Sequence, residues 1–192
     1  MEQITRINFI KELEVEIKTV TKTISSYSLL CDYTRDYIVP LIRSNNVTVS
    51  VIESTTCGLL SDLLTSVSGA SEFFIMGMTP YSNEMKIKIG FPKDELKFGG
   101  YGVVSRQAVE QLARCIRNYS GADLGIAETG LLASTELKKR RTQKKAGEVY
   151  AAILSKERNL IERLSVQQNL SRVEMRQEIA FRVLQLLRRF LE

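Results

Sequence analysis

The sequence predicts an α/β fold. Short strand-like runs, Val47 to Ile52, Phe73 to Thr79 and Ala122 to Ala127, alternate with longer stretches whose apolar residues recur every three or four positions. The first run stops in a cluster of hydroxyls and a glycine, Val51-Ile-Glu-Ser-Thr-Thr-Cys-Gly58, before Leu59-Leu60 opens a helical pattern. With 192 residues, 44% of them hydrophobic, a sizeable core is available. In an open α/β sheet, ligands gather outside the carboxyl ends of strands, where the next helix points its free N–H groups and positive dipole end. Ser54, Thr55, Thr56 and Cys57 therefore lie where a nucleophile or an anion-binding loop would lie. Simple capping of the next helix would use the same residue types.

The elements follow in order. From Glu2 to about Asn45 the pattern is helical, with Ile4, Ile7, Ile10, Leu13, Ile17, Val20 and Ile24 at helical spacing. A break near Ser25-Ser26 divides it, and Pro40 kinks the second helix or opens a new turn after Tyr37. Val47 to Ile52 is β-branched and reads as a strand. Gly58 to Val67 reads as a helix with Leu59, Leu60, Leu63 and Leu64 inward, closed by Gly69. Phe73 to Thr79 is a second strand halted by Pro80, and Ser82 or Asn83 caps a short helix with Tyr81 near its start and Lys86 one turn in.

Gly99-Gly-Tyr-Gly102 is a flexible turn, and Ser105 caps a helix through Tyr119 whose Ala108, Val109, Leu112, Cys115 and Ile116 form an apolar stripe, placing Cys115 in the core. Ala122 to Ala127 is a strand ending at Glu128-Thr129-Gly130, a second hydroxyl at a strand end. Lys138 to Lys145 holds six cations in eight residues. It reads as a solvated loop, or as a clamp for phosphate, nucleic acid or an acidic partner. Gly147 to Ile153 and Leu160 to Leu164 are further strands. Ser171-Arg-Val-Glu174 is a capping box that starts a last helix carrying Ile179, Ala180, Val183, Leu186, Leu187 and Phe190.

Composition removes several chemistries. The chain has no histidine, which excludes Ser-His-Asp and Cys-His mechanisms and leaves no imidazole for a metal. Three widely spaced cysteines, Cys31, Cys57 and Cys115, suit free thiols in a reducing compartment, and neither they nor the scattered carboxylates have metal-ligand spacing. No cofactor is expected. The +5 net charge leans weakly toward anionic partners. With no apolar leader at the start and no run long enough for a membrane span, a cytoplasmic protein without membrane contact is expected.

Without histidine, any base must be Lys, Asp, Glu or Tyr; a hydrolytic nucleophile would need a lysine or a backbone environment to take its proton, and Ser54 with Lys86 is a candidate pair. Lysine serves as a base only where burial or a neighbouring cation lowers its pKa, which calls for an enclosed site. Tyr81, five residues before Lys86, would orient substrate or relay a proton. Cys57, near a helix start, competes for the nucleophile's role but has no histidine partner.

Several short motifs occur in one order: Ile52-Glu-Ser-Thr-Thr-Cys-Gly58, Thr65-Ser-Val-Ser-Gly-Ala-Ser71, Tyr81-Ser-Asn-Glu-Met-Lys86, Gly102-Val-Val-Ser105, Thr129-Gly130 and Gly147-Glu-Val-Tyr150. Together they resemble the CinA C-terminal domain family, the nicotinamide mononucleotide amidohydrolases, over a domain spanning residues 40–192 behind a helical extension of residues 1–39. The resemblance implies a three-layer α/β/α sandwich on a mixed, mostly parallel sheet. It also implies cleavage of the carboxamide of nicotinamide mononucleotide, a small nucleotide substrate, to release ammonia. Ser54 would be the nucleophile, Lys86 its base, and Tyr81 a supporting catalytic group. Glu53, Thr56, Thr129, Gly130 and Arg176 would line the substrate site, with no metal. A homo-oligomer, commonly a dimer, is implied, and the large N-terminal domain of two-domain members is not expected here.

Two departures stand out. The family's hydroxyl loop reads Glu-Ser-Cys-Thr-Gly-Gly, whereas here Thr55 stands for the cysteine and Cys57 for the first glycine, so a side chain sits where backbone could approach a ligand. The family's glycine-rich segment after Thr-Gly is replaced by Leu131-Leu-Ala-Ser-Thr-Glu-Leu137 and the basic run. The sequence is thus compatible with a working amidohydrolase whose basic loop receives the substrate phosphate. It is also compatible with a degenerate relative kept as a binding, regulatory or scaffold subunit. A helical adaptor built on the first 45 residues would instead have to expose its apolar stripe.

Overall fold

The computed structural model describes residues 26–96, 100–132, 147–167 and 169–192. The expected leading helix from Glu2 to Ile24, Gly99 and the basic run Lys138 to Lys145 lie outside them.

The chain enters through helix α1 (Ser26–Tyr33), passes through a π-helical turn (Thr34–Ile38) and continues as α2 (Val39–Ser44). Pro40 neither breaks nor ends this stretch. It sits at the start of α2, and the wider turn just before it absorbs the missing N–H: Val39 N donates to Thr34 O, five residues back. Strand β1 (Val49–Glu53) follows, then α3 (Leu59–Thr65), β2 (Phe74–Met78) and the short α4 (Asn83–Lys88), capped by Ser82 Oγ, which accepts from Met85 N. Helix α5 (Arg106–Ser120) is capped by Ser105 and ends at Gly121, whose φ of 74° is the left-handed conformation glycine adopts freely. Strands β3 (Leu124–Leu131), β4 (Glu148–Leu154) and β5 (Asn159–Ser165) precede the long α6 (Arg172–Leu191), which starts in the expected capping box of Ser171 and Glu174.

The five strands lie in the order β2-β1-β3-β4-β5. β1 is parallel to both neighbours, while β3–β4 and β4–β5 are antiparallel, so only β4 runs against the common direction. Strand alternation divides the core in two. Val49 and Val51, Leu124 and Ile126, and Val149, Ala151 and Ile153 face α1, α2, α3 and α6. Ile52, Ala127, Ala152, Leu154 and Ile161 face α5. This is the three-layer sandwich. α5 presses directly on β3, where a side chain at Gly125 would come within 2.1 Å of Ala113 O.

Two sequence expectations change. Cys115 is half-buried at the margin of the α5 cluster instead of inside it. β3 does not stop at Glu128: pairing with Ala151, Tyr150, Val149 and Glu148 on β4 carries it through Glu128, Thr129 and Gly130 to Leu131. A partner strand extended it beyond what its own residues signal. Among the described residues, no helix is long and apolar enough to cross a membrane.

Candidate active site

β1 ends at Glu53, and the chain turns through Ser54 to Gly58 into α3. Two buried carboxyls shape that turn. Glu53 Oε2 accepts from Thr56 Oγ1 (2.7 Å), Gly58 N (2.9 Å) and Leu60 N (3.0 Å), and Oε1 from Ser61 N (2.9 Å) and Ser61 Oγ (2.6 Å). Glu53 thus sets its carboxyl against the amides that open α3, where helix N–H groups lack partners of their own. It is fully buried with both oxygens occupied, so it holds the loop and does not face a ligand as expected.

The second carboxyl, Glu128, reaches in from β3. Its Oε1 accepts from Ser54 N (2.6 Å), Thr55 N (2.7 Å), Thr56 N (3.0 Å) and Thr56 Oγ1 (2.9 Å), and its Oε2 bonds Thr55 Oγ1. Burial pushes this carboxyl above the ordinary carboxylate range, against the pull of those hydrogen bonds. The sequence marks Glu128 only as a strand end, not as a site residue. The available signal was a lone carboxylate beside Thr129-Gly130, in a run otherwise apolar back to Leu124.

The turn's remaining hydroxyl behaves differently. Thr55, Thr56 and Ser61 are all bonded to a carboxyl, whereas Ser54 Oγ is buried and has no hydrogen-bond partner. Lys86 enters from α4, 4% exposed, with Nζ donating to Pro80 O (2.7 Å) and more weakly to Tyr81 O (3.4 Å). Burial lowers its pKa, while Glu128 and Cys57 act in the opposite direction. Lys86 is therefore a desolvated amine beside the turn, held by carbonyls and not hydrogen-bonded to Ser54.

Tyr81 is exposed, and its hydroxyl accepts from Arg172 Nη2 at 3.3 Å, linking the β2–α4 connection to the start of α6. Arg172 is a second residue the sequence did not single out. One turn further along α6, Arg176 Nε donates to Thr56 O (2.9 Å), and its Nη2 bonds Thr56 O and, at 3.4 Å, Cys57 O. It clamps the carbonyl side of the turn whose amide side Glu128 holds.

Thr129 and Gly130 are the last residues of β3 before Leu131. Thr129 is 2% exposed and donates to Val103 O (2.6 Å), and a side chain at Gly130 would come within 2.6 Å of Val149 Cγ2 on β4. Their present contacts are with the fold. Cys57 is left-handed at φ 53°. Burial raises its thiol pKa, with Arg176 opposing, which keeps the sulfur protonated and a poor nucleophile. The turn thus offers one free hydroxyl, one desolvated amine and cations on α6.

Comparison with known proteins gives the same frame. The family model of the CinA C-terminal domain matches residues 33–191. A competence-damage inducible protein of Thermoanaerobacter pseudethanolicus is 33% identical over 81% of this chain and 36% of its own length, and a CinA-like protein of Kosmotoga olearia is 31% identical over 68% and 31%. The chain thus spans about a third of these relatives. A competence or damage-inducible protein from Enterobacter asburiae has a crystal structure that superposes with a TM-score of 0.74 at 22% identity, covering 85% of this chain and 98% of that one. The chain belongs to the CinA C-terminal domain family.

Proposed function

We infer that this CinA-family domain is an amidohydrolase acting on the carboxamide of a pyridine nucleotide, with nicotinamide mononucleotide as substrate. The observation that carries the reading is the contrast within the turn: Ser54 alone of its hydroxyls has no partner, beside a buried lysine with a lowered pKa. A neutral Lys86 amine has two N–H groups for the carbonyls of Pro80 and Tyr81, and its lone pair remains for a proton. In this mechanism Ser54 Oγ attacks the carboxamide carbon and its proton passes to Lys86 Nζ. Collapse of the tetrahedral intermediate breaks the C–N bond, the proton returns to the departing ammonia, and water hydrolyses the acyl-serine to the carboxylate product. The step requires Nζ to turn its lone pair toward Ser54 Oγ once substrate is bound. Arg172, exposed beside Tyr81, supplies a cation for the substrate phosphate.

One observation favours a second reading, a catalytically silent binding subunit. The three amides best placed beside Ser54 to stabilise an oxyanion already hold Glu128. Ammonia release from nicotinamide mononucleotide, measured for the wild type and Ser54→Ala, separates the two. Release that depends on Ser54 supports the hydrolase, and none above background in the wild type leaves the binding protein.

A further inference from the structure

Three consecutive backbone N–H groups, those of Ser54, Thr55 and Thr56, converge on a single oxygen, Glu128 Oε1, at 2.6, 2.7 and 3.0 Å. Successive amides curled around one point form a concave nest of the kind that receives anions. Here the anion is internal. Glu128 is the register partner of Glu53 across the parallel β1–β3 pair, so its side chain starts one strand away from the turn that β1 opens. It is fully buried, and among the described residues no cation forms an ion pair with it. The turn's amides and two threonine hydroxyls therefore do the solvating.

We propose that Glu128 is a positioning residue whose carboxyl is the resident ligand of a carboxylate nest in the Ser54–Thr56 turn, and that emptying the nest makes it a site for a small free carboxylate. Glu128 engages the amides of all three residues and the hydroxyls of Thr55 and Thr56, so it fixes the turn and leaves the Ser54 hydroxyl as its one uncommitted group. This consequence for Ser54 rests on the amidohydrolase reading. The nest itself does not, and it is tested by binding instead of turnover.

The test is the thermal unfolding of full-length Glu128→Ala in 100 mM sodium formate against 100 mM sodium chloride, with wild type alongside. Formate replaces the lost carboxyl at the scale of the cavity. A site about ten times filled over its Kd raises the melting temperature by about 3 °C in a protein of this size, and wild type, whose nest is occupied, shows no difference between the salts. In 15N-resolved spectra of Glu128→Ala, the Ser54, Thr55 and Thr56 amides shift together as formate is added. Equal melting of the variant in both salts, or an equal formate effect on wild type, overturns the proposal. Should Glu128→Ala fail to fold in either salt, Glu128→Gln decides: its carbonyl keeps the amides bonded but neutral, so the three amide resonances move upfield as a group. If they stay at wild-type positions, Glu128 is not their acceptor and the nest is wrong.

Discussion

Glu53 and Glu128 face each other on the last rung of the β1–β3 pair and grip the same hydroxyl. Thr56 Oγ1 lies 2.7 Å from Glu53 Oε2 and 2.9 Å from Glu128 Oε1. A hydroxyl has one proton to give, so it cannot satisfy two ionised carboxylates at once. Burial pushes Glu128 toward protonation and eases that competition, against the hydrogen bonds that its carboxylate accepts from the turn. Two acids from neighbouring strands thus fix one turn, the first through the helix it opens and the second through its amides.

The pairing makes stability depend on pH in a definite sense. Glu128 titrates higher in the folded chain than its ordinary value of 4.5, so its contribution is complete below that value and is lost as pH rises through the folded one. Glu128→Gln cannot ionise. The urea midpoint of wild type should therefore fall relative to Glu128→Gln as pH is raised from about 4 to 8. A difference that is flat with pH, or that grows in favour of wild type, contradicts a raised Glu128.

For activity, the relevant ionisation is that of Lys86. The base form is the neutral amine, and burial lowers its pKa, so kcat/KM for ammonia release should rise through one ionisation lying below the ordinary lysine value of 10.5. Lys86→Arg keeps the charge but cannot surrender it near neutrality, and the rate should drop by about 10²- to 10⁴-fold with the fold intact. An arginine variant that retains the wild-type rate would remove Lys86 from the mechanism.

Much of this architecture could be read in the sequence because local signals and tertiary outcome agree. Ser82, Ser105 and the Ser171–Glu174 capping box each start a helix where the residue pattern says one should start. What escaped depends on partners distant in the chain. β3 runs on through Thr129 and Gly130 because β4 pairs with it, so two residues expected just past a strand end belong to the strand. Glu128 is an unremarkable carboxylate until β3 is laid beside β1 and its side chain meets the amides of residues some seventy positions earlier. Arg172 acquires meaning only through its contact with Tyr81, ninety-one positions earlier.

Arg176 holds the carbonyls of Thr56 and Cys57 in a forked contact that lysine cannot copy. Arg176→Lys should cost about 1 to 2 kcal/mol of stability by removing charge-assisted hydrogen bonds. It should also lower kcat more than it raises KM, because the turn carrying Ser54 loosens while the Arg172–Tyr81 contact is untouched. Urea unfolding and steady-state kinetics on one preparation test both halves. A change confined to KM would make Arg176 a substrate contact instead of a clamp.

Gly125 tests the α5 layer independently of the site. A methyl group there meets the Ala113 carbonyl at 2.1 Å and Arg117 Cβ at 2.7 Å, and backbone cannot step aside as a side-chain tip can. Gly125→Ala should destabilise the fold by about 2 kcal/mol or more through overpacking. Near-wild-type unfolding would mean that α5 stands further from β3 than described.

Cys57 occupies a left-handed position, φ 53°, next to Gly58. A side chain in that conformation costs about 1 kcal/mol, and a β-branched one more, whereas glycine adopts it freely at some expense in unfolded-chain entropy. Cys57→Gly should therefore unfold within about 1 kcal/mol of wild type and on the more stable side, and Cys57→Val should fall about 2 kcal/mol below it. If the two variants unfold alike, the turn is not left-handed at this residue. The same proteins decide between the turn's two candidate nucleophiles. Ammonia release that persists in Cys57→Gly and vanishes in Ser54→Ala leaves the hydroxyl as the attacking group, and the reverse pattern transfers the role to the thiol.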